Sequence, residues 1–92
     1  MKPADITYEL FSVRDVKTGY LTPTLDMNGE SAIRNFEHAC MVADSLFYTH
    51  AQDYSLYRVG TFYPESGIIE PAVPPVHIVD AVSFFPERKK GE

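Results

Sequence analysis

One stretch in the middle of this chain has the apolar spacing of an α-helix, and segments typical of β-strands lie on both sides of it. Ile33, Phe36 and Cys40 recur at intervals of three and four residues, which places them along one face of a helix. The polar start of this stretch offers two residues, Asn28 and Ser31, that can cap the free backbone amides of the first turn. We therefore expect one amphipathic helix whose apolar face joins the core.

The segment before the helix is typical of a β-hairpin. Residues 8–16 alternate between apolar and polar side chains, as a strand with one buried face does. Gly19 can adopt the positive φ that a short turn needs, and residues 20–25 then form the return strand. Because Pro23 lacks a backbone N–H, we expect the return strand to lie at an edge or to be irregular at that point.

The segment after the helix is typical of a second hairpin. Residues 55–63 alternate again, the turn sequence at 64–67 has Pro early and Gly last, and residues 68–73 return as the partner strand. Between the helix and this hairpin, we expect residues 46–48 to pack as an extended link and residues 49–52 to begin a single helical turn through a capping box. The predicted body is therefore ββαββ.

The β-branched segment 76–85 needs a partner surface. It can add a strand to the chain's own sheet, or it can cross as an arm to a second subunit. The residues of this segment that would contact a partner or a second subunit are Val76, Ile78, Val82 and Phe84. A chain of 92 residues has a thin core, because small domains bury a smaller share of their surface, so we expect a homodimer that shares apolar surface.

Together these segments predict an α+β fold with a mainly antiparallel sheet from two β-hairpins plus a C-terminal strand or arm, and with one amphipathic helix. No internal repeat or linker divides the chain. We therefore expect a single domain over residues 1–92, with an N-terminal extension (1–7), a ββαββ body (8–73), a C-terminal strand or exchange arm (76–85) and a charged tail (86–92).

Residue types that serve in enzymes and metal sites are present, but they lack the spacing that those functions need. Cys40 lies on the apolar helix face, where burial opposes the thiolate that a nucleophile requires. His38, His50 and His77 are far apart in the sequence, without the close spacing of metal ligands. The five glycines are isolated from one another, so no phosphate-binding loop is formed. We expect no enzymatic activity, no cofactor and no metal.

Composition limits the location of the protein and the kind of partner it can have. No apolar run approaches the ~20 residues of a membrane-spanning helix, and the N-terminus lacks the apolar stretch of a signal peptide, so we expect a cytoplasmic protein without membrane contact. Thirteen acidic and eight basic residues give a net charge of −5. A protein that binds duplex DNA by charge usually has the opposite sign. Six Tyr and six Phe can still stack on unpaired bases.

A few cations lie beside aromatic residues on the predicted strands. Arg14 and Lys17 flank the tip of the first hairpin next to Tyr20, and Arg58 follows Tyr57 in the second hairpin. Cations beside aromatic rings are typical of sequence-tolerant binding to single strands, since every base has a face on which a ring can stack. These five residues are the candidate nucleic-acid contacts. The alternative is that the cations form cross-strand pairs with Asp or Glu.

Several short motifs occur in a fixed order along the chain: Phe11–Asp15, Gly19–Pro23, Ala32–Phe36, Ser45–His50, Asp53–Tyr54 and Leu56–Phe62. In this order they resemble the small non-structural protein of gokushoviruses, a Microviridae subfamily of small phages with single-stranded DNA. The resemblance covers roughly residues 8 to 70. It implies a non-capsid protein that acts in the infected bacterium during genome replication, where it binds DNA or supports the synthesis of single-stranded genomes. It carries no catalytic residue over to this sequence.

Two functions therefore stay open. In the first, the protein binds single-stranded phage DNA as a homodimer, with stacking by the tyrosines and phosphate pairing by the cations. In the second, it is a non-enzymatic module that docks on a viral or host replication protein by strand addition, near Pro23 or at residues 76–85, and its acidic surface suits a basic partner. A third hypothesis is an acidic mimic of DNA, which needs patterned charge.

Overall fold

Strands make up most of the regular structure of this protein. The computed structural model describes residues 6–88, and residues 1–5 and 89–92, which include most of the predicted N-terminal extension and charged tail, lie outside that part. The elements in chain order are β1 (Tyr8–Asp15), β2 (Gly19–Tyr20), β3 (Thr24–Asp26), α1 (Gly29–Cys40), α2 (Leu46–Thr49), a 3₁₀ turn (Ala51–Asp53), β4 (Tyr54–Tyr63), β5 (Ile68–Asp80) and two more 3₁₀ turns (Ala81–Phe84 and Pro86–Arg88).

The strands form one antiparallel sheet in the order β2-β1-β4-β5, and β3 pairs with β1 on the same side as β2. The two hairpins are β1–β2 and β4–β5, and they are joined by the pairing of β1 with β4. The predicted α+β class, with a mainly antiparallel sheet and one main helix, is confirmed. The long β4–β5 hairpin gives the described part of the protein an elongated outline of 49 × 23 × 21 Å.

The first hairpin follows the prediction at its turn and at its proline. Gly19 has a φ of 106°, which is a conformation that glycine adopts without steric cost. The hydroxyl of Ser12 on β1 donates a hydrogen bond of 2.6 Å to the carbonyl of Leu21 and so holds the return segment against the strand. The return segment then divides into β2 and β3 around Pro23, because the proline has no N–H for the ladder.

The main helix, α1, begins where the sequence predicts it. Of the two candidate caps, Asn28 is the one used, and its Oδ1 accepts the backbone N–H of Ser31 at 2.9 Å. Ala32, Phe36 and Cys40 are the buried residues of the helix. Their spacing places the apolar stripe on the sheet, as the sequence pattern predicts.

The connection from α1 to β4 differs from the prediction. Residues 46–48 do not form an extended link, because the Ser45 side chain accepts the backbone N–H of Tyr48 at 3.2 Å and starts the short helix α2. The single helical turn expected after residue 49 is present as the 3₁₀ turn Ala51–Asp53, but the capping box predicted to start it is absent. Thr49 Oγ1 donates instead to the carbonyl of Ser45 at 3.2 Å, so this hydroxyl closes α2 and does not open the next turn.

The C-terminal strand β5 is one continuous element over residues 68–80. It passes through three prolines, its Val73–Pro74 bond is cis, and its register with β4 is interrupted in this region. The sequence-based boundaries placed a body that ends at residue 73 before a separate segment from residue 76, and the strand bridges both. The C-terminal segment therefore adds to the chain's own sheet.

Three of the four residues predicted to contact a second subunit or another partner pack against the chain's own core. Ile78, Val82 and Phe84 contact the buried cluster, and the Phe84 ring lies edge-on to Phe36 with centroids 5.9 Å apart. Val76, by contrast, is 41% exposed. The segment after the prolines is thus part of the monomer's hydrophobic core, and only Val76 of the four lies on the surface.

The hydrophobic core lies between the helices and one face of the sheet. Its buried members come from β1, α1, β4 and the turns around residues 51 and 81, and they are Phe11, Ala32, Phe36, Cys40, Ala51, Tyr54, Leu56, Ala81 and Phe85. The opposite face of the sheet, here called the outer face, carries side chains that alternate with these core residues. Three of the five candidate nucleic-acid contacts, Arg14, Tyr20 and Tyr57, lie on that outer face.

Candidate functional site

Strand register places two lines of side chains across the outer face. In the first line Tyr20 on β2 is opposite Arg14 on β1, Arg14 is opposite Ser55 on β4, and Ser55 is opposite Asp80 on β5. Side chains opposite each other on one face of a sheet are close enough to interact. A single line across four strands therefore contains an aromatic ring, a cation, a hydroxyl and a carboxylate.

The second line supplies two more rings. Tyr57 on β4 is opposite Ser12 on β1 and His77 on β5. The Tyr57 ring lies edge-on to Tyr20, with centroids 5.5 Å apart and planes at 78°, and edge-on to His77, with centroids 5.4 Å apart and planes at 79°. Tyr20, Tyr57 and His77 thus form a continuous series of rings across the sheet, here called the aromatic row.

A small side chain on β1 makes room for this row. Ser12 is only 3% exposed and lies opposite Tyr57, on the strand that separates β4 from β2. Its hydroxyl is satisfied by the bond to the carbonyl of Leu21. A larger residue at this position would stand between the rings of Tyr20 and Tyr57, so the contact between them requires a small side chain here.

A polar cluster closes the β5 end of the row. Oδ1 of Asp80 accepts a hydrogen bond from the hydroxyl of Ser55 at 2.5 Å and lies 2.7 Å from Nε2 of His77. The hydrogen bond from Ser55, followed by that from His77, holds the pKa of the Asp80 carboxyl below its ordinary value. The side chains of His77 and Asp80 are 48% and 52% exposed, so the cluster is accessible from solvent.

The structure brings together some of the five predicted contacts and separates one. Arg14 lies on the outer face beside Tyr20, and no ion pair among residues 6–88 involves it. Lys17 lies in the exposed turn of the same hairpin, where its backbone N–H donates to Asp15 at 2.9 Å. Both cations are therefore close in the chain to one end of the aromatic row.

Arg58 lies elsewhere. It is opposite Phe11, a core residue, and so belongs to the other face of the sheet from its neighbour Tyr57. Its Nε lies 3.9 Å from Oε1 of Glu9, which is the cross-strand pairing with an acid that the sequence left open as the alternative. This pair therefore lies on the opposite face of the sheet from the aromatic row.

Sequence reasoning missed His77, Ser55 and Asp80 as members of the site. The alternation on β4 does place Ser55 and Tyr57 on one face, so Ser55 could be predicted from the sequence. The other two depend on the register between β4 and β5, which shifts at two places. Because a shift of one residue exchanges the faces of a strand, no count along the sequence predicts that His77 meets Tyr57.

The remaining reactive groups are separate from this face. Cys40 is fully buried, and burial, with a smaller effect from Glu37, raises the pKa of its thiol to about 11. Within residues 6–88, no three side chains of His, Cys, Asp or Glu come together as a metal site. None of the helices in that range has the length and apolar character needed to cross a bilayer.

Comparison with known proteins gives one family. The family model described as Phage ORF5 protein matches residues 8–84, which is most of the chain. The chain therefore belongs to this family and is a phage protein. No curated protein and no solved structure matches it.

Proposed function

We propose, from the membership of the chain in the Phage ORF5 protein family, that this phage protein binds single-stranded DNA during replication of the phage genome. The proposal places it among the non-structural proteins of gokushoviruses, in the cytoplasm of the infected bacterium, with no enzymatic activity of its own. The aromatic row is the observation that supports this proposal most directly.

The unpaired bases of a single strand have free faces that can stack on the rings of the aromatic row. The rings of Tyr20, Tyr57 and His77 follow one another at 5.4–5.5 Å on a face without a covering helix, and the Tyr20 side chain is 46% exposed. Bases of a single strand can stack on such rings, whereas a duplex keeps the faces of its bases stacked on each other. Arg14 and Lys17 at one end of the row can pair with phosphates.

The acidic character of the protein fits a preference for single strands. With a net charge of −5, the protein cannot rely on general attraction to the dense phosphates of a duplex. Stacking adds about 1–3 kcal/mol per base without requiring net positive charge. In this proposal the aromatic residues supply most of the affinity, and the two cations position the backbone.

Association of two copies is part of the proposal. The β4–β5 hairpin carries exposed apolar side chains away from the core, and those of Ile68, Ile69 and Val73 are 59%, 59% and 85% exposed. A second copy of the chain could cover them. In this proposal the homodimer contact uses this apolar part of the hairpin and not the segment of Ile78, Val82 and Phe84, which packs in the core.

A second candidate function, docking on a viral or host replication protein, is favoured by a different observation. β5 is the last strand of the sheet, and Val76 on it is 41% exposed. An edge strand can accept an added strand from a partner. A basic, DNA-handling partner would complement the acidic charge.

The experiment that separates the two candidates is a binding titration. The full chain is titrated into labelled single-stranded and duplex oligonucleotides, and fluorescence anisotropy is measured over a series of salt concentrations. The oligomeric state of the protein is determined by sedimentation. Binding in the micromolar range or tighter, with preference for single strands and weakening by salt, supports the DNA-binding proposal. Absence of binding by folded protein at low salt removes it and favours the docking function.

A further inference from the structure

The carboxylate at the end of the aromatic row is held in place with one oxygen unused. Ser55 and His77 both bond to Oδ1 of Asp80, and Oδ2 has no hydrogen-bond partner among residues 6–88. The hydroxyl of Ser83 fixes the same residue from the other side by donating to its backbone carbonyl at 2.7 Å. Oδ2 is therefore an oriented acceptor on an exposed side chain.

An exposed carboxylate is an unusual group to find in a site for nucleic acid, because it repels phosphate. It can, however, accept a hydrogen bond from the edge of a base. His77 determines which edge is near. Since Nε2 of His77 points at Asp80 in the plane of the ring, a base that stacks parallel to the imidazole can direct one edge toward the same carboxylate.

The two pyrimidines differ at that edge. Cytosine carries the N4 amino group, which donates hydrogen bonds, whereas thymine carries the O4 carbonyl at the same position, which only accepts them. At this position Asp80 can accept a hydrogen bond from N4 of cytosine and repels O4 of thymine. Thymine can donate to the carboxylate only from N3–H, and the O2 and O4 carbonyls on both sides of that group repel the same charge. Because the two bases have rings of the same size, stacking on His77 discriminates between them less than a hydrogen bond to Asp80 does.

We propose that Asp80, oriented by Ser55 and His77, makes the single-strand site prefer cytosine over thymine at the base that stacks on His77. This inference rests on the proposed function. In this proposal the β5 end of the row selects the base, and the β2 end, with Arg14, contacts the phosphate.

The test compares labelled oligonucleotides of equal length, made of cytosine alone or thymine alone, in anisotropy titrations near neutral pH with the full chain. We expect the cytosine strand to bind more tightly by about five- to tenfold, the effect of one hydrogen bond of ordinary strength at a solvent-exposed position. Asp80→Asn removes the charge, and its amide can donate to thymine or accept from cytosine, so the preference should fall below twofold. Asp44→Asn, an equal change of charge at an exposed residue away from the aromatic row, should retain it.

A change in the DNA tests the same contact without a change in the protein. In a strand of N4,N4-dimethylcytosine the amino donors are gone, and its affinity should fall to that of the thymine strand or below. Equal binding of cytosine and thymine strands by the wild type would overturn the inference and leave the proposed function standing. So would a preference that survives in folded Asp80→Asn or in the dimethylated strand. Failure to bind either strand would overturn both proposals.

Discussion

The ring of Tyr57 contacts the ring of Tyr20 across an intervening strand. Their centroids are 5.5 Å apart, although β1 lies between β4 and β2 in the sheet. Ser12, the β1 residue opposite Tyr57, is small enough for the rings to meet over it. Since Tyr57 also contacts His77, it is the central ring of the aromatic row, and the row is interrupted without it.

Replacement of this central ring should weaken binding to single-stranded DNA. For Tyr57→Leu we expect a loss of about 5- to 150-fold in affinity, the equivalent of about 1–3 kcal/mol for one stacked base. Anisotropy titration measures it. Tyr63→Leu is the matched control, because Tyr63 lies farther along β4 and its hydroxyl bonds to Glu70 at 2.8 Å. Equal losses in the two variants would contradict a role for the row.

Replacement of Arg14 and replacement of Arg58 should have different effects on the salt dependence of DNA binding. Arg14→Ala removes a cation beside Tyr20, so affinity should fall, and the slope of log K against log salt should become shallower by about 0.7, the contribution of one phosphate contact on a single strand. Arg58→Ala removes the partner of Glu9 on the other face and should leave the slope unchanged. A reversed result would move the interface to the helix-covered face.

Much of this fold could be predicted from local signals. The apolar stripe of α1, the glycine turn before β2 and the break at Pro23 each follow from the conformational limits of a few neighbouring residues. The helical turn α2 was missed, although Ser45 before an apolar run is a cap signal. Thr49 has the same signal a few residues later, and only the tertiary structure determines which hydroxyl is used.

The site was harder to predict than the fold because it depends on pairing between strands. Arg14, Tyr20 and Tyr57 were identified from local alternation, and the structure places them on one face. The same alternation places Arg58 on the opposite face from Tyr57, so adjacency in the sequence does not make the two residues part of one site. The inclusion of His77 depends on a register shift within β5, which no residue pattern encodes.

The lack of space at Gly60, between β4 and β5, allows a prediction about stability. A Cβ at Gly60 would lie 2.7 Å from the carbonyl oxygen of Glu70, a backbone atom that cannot rotate away. Gly60→Ala should therefore force the strands apart and lower the free energy of unfolding by about 1–3 kcal/mol, measured by urea denaturation. Gly29→Ala is the control, since no atom lies within 4 Å of its added Cβ. We expect the control to change stability by less than about 0.5 kcal/mol or to raise it.

Replacement of Phe84 should lower the stability of the monomer and leave its oligomeric state unchanged. Phe84→Ala removes a ring that packs against Phe36, so the free energy of unfolding should fall by about 2–3 kcal/mol, less than for a fully buried Phe. Urea denaturation measures the loss, and sedimentation at several concentrations should show an unchanged oligomeric state. A variant with wild-type stability but altered association would instead place Phe84 in a subunit contact.

The buried thiol allows a prediction about pH. Because burial raises the pKa of Cys40 to about 11, the thiol stays protonated at pH 8, and a disulfide reagent such as Ellman's should react only as fast as the protein opens. In urea the same thiol should react at once. The folded state favours the neutral thiol, so this group's contribution to stability is complete below its ordinary pKa of 9.0 and is lost as the pH rises toward 11. Above pH 9, the free energy of unfolding should therefore fall more steeply for the wild type than for Cys40→Ala, and parallel pH profiles would show that the thiol is accessible to solvent.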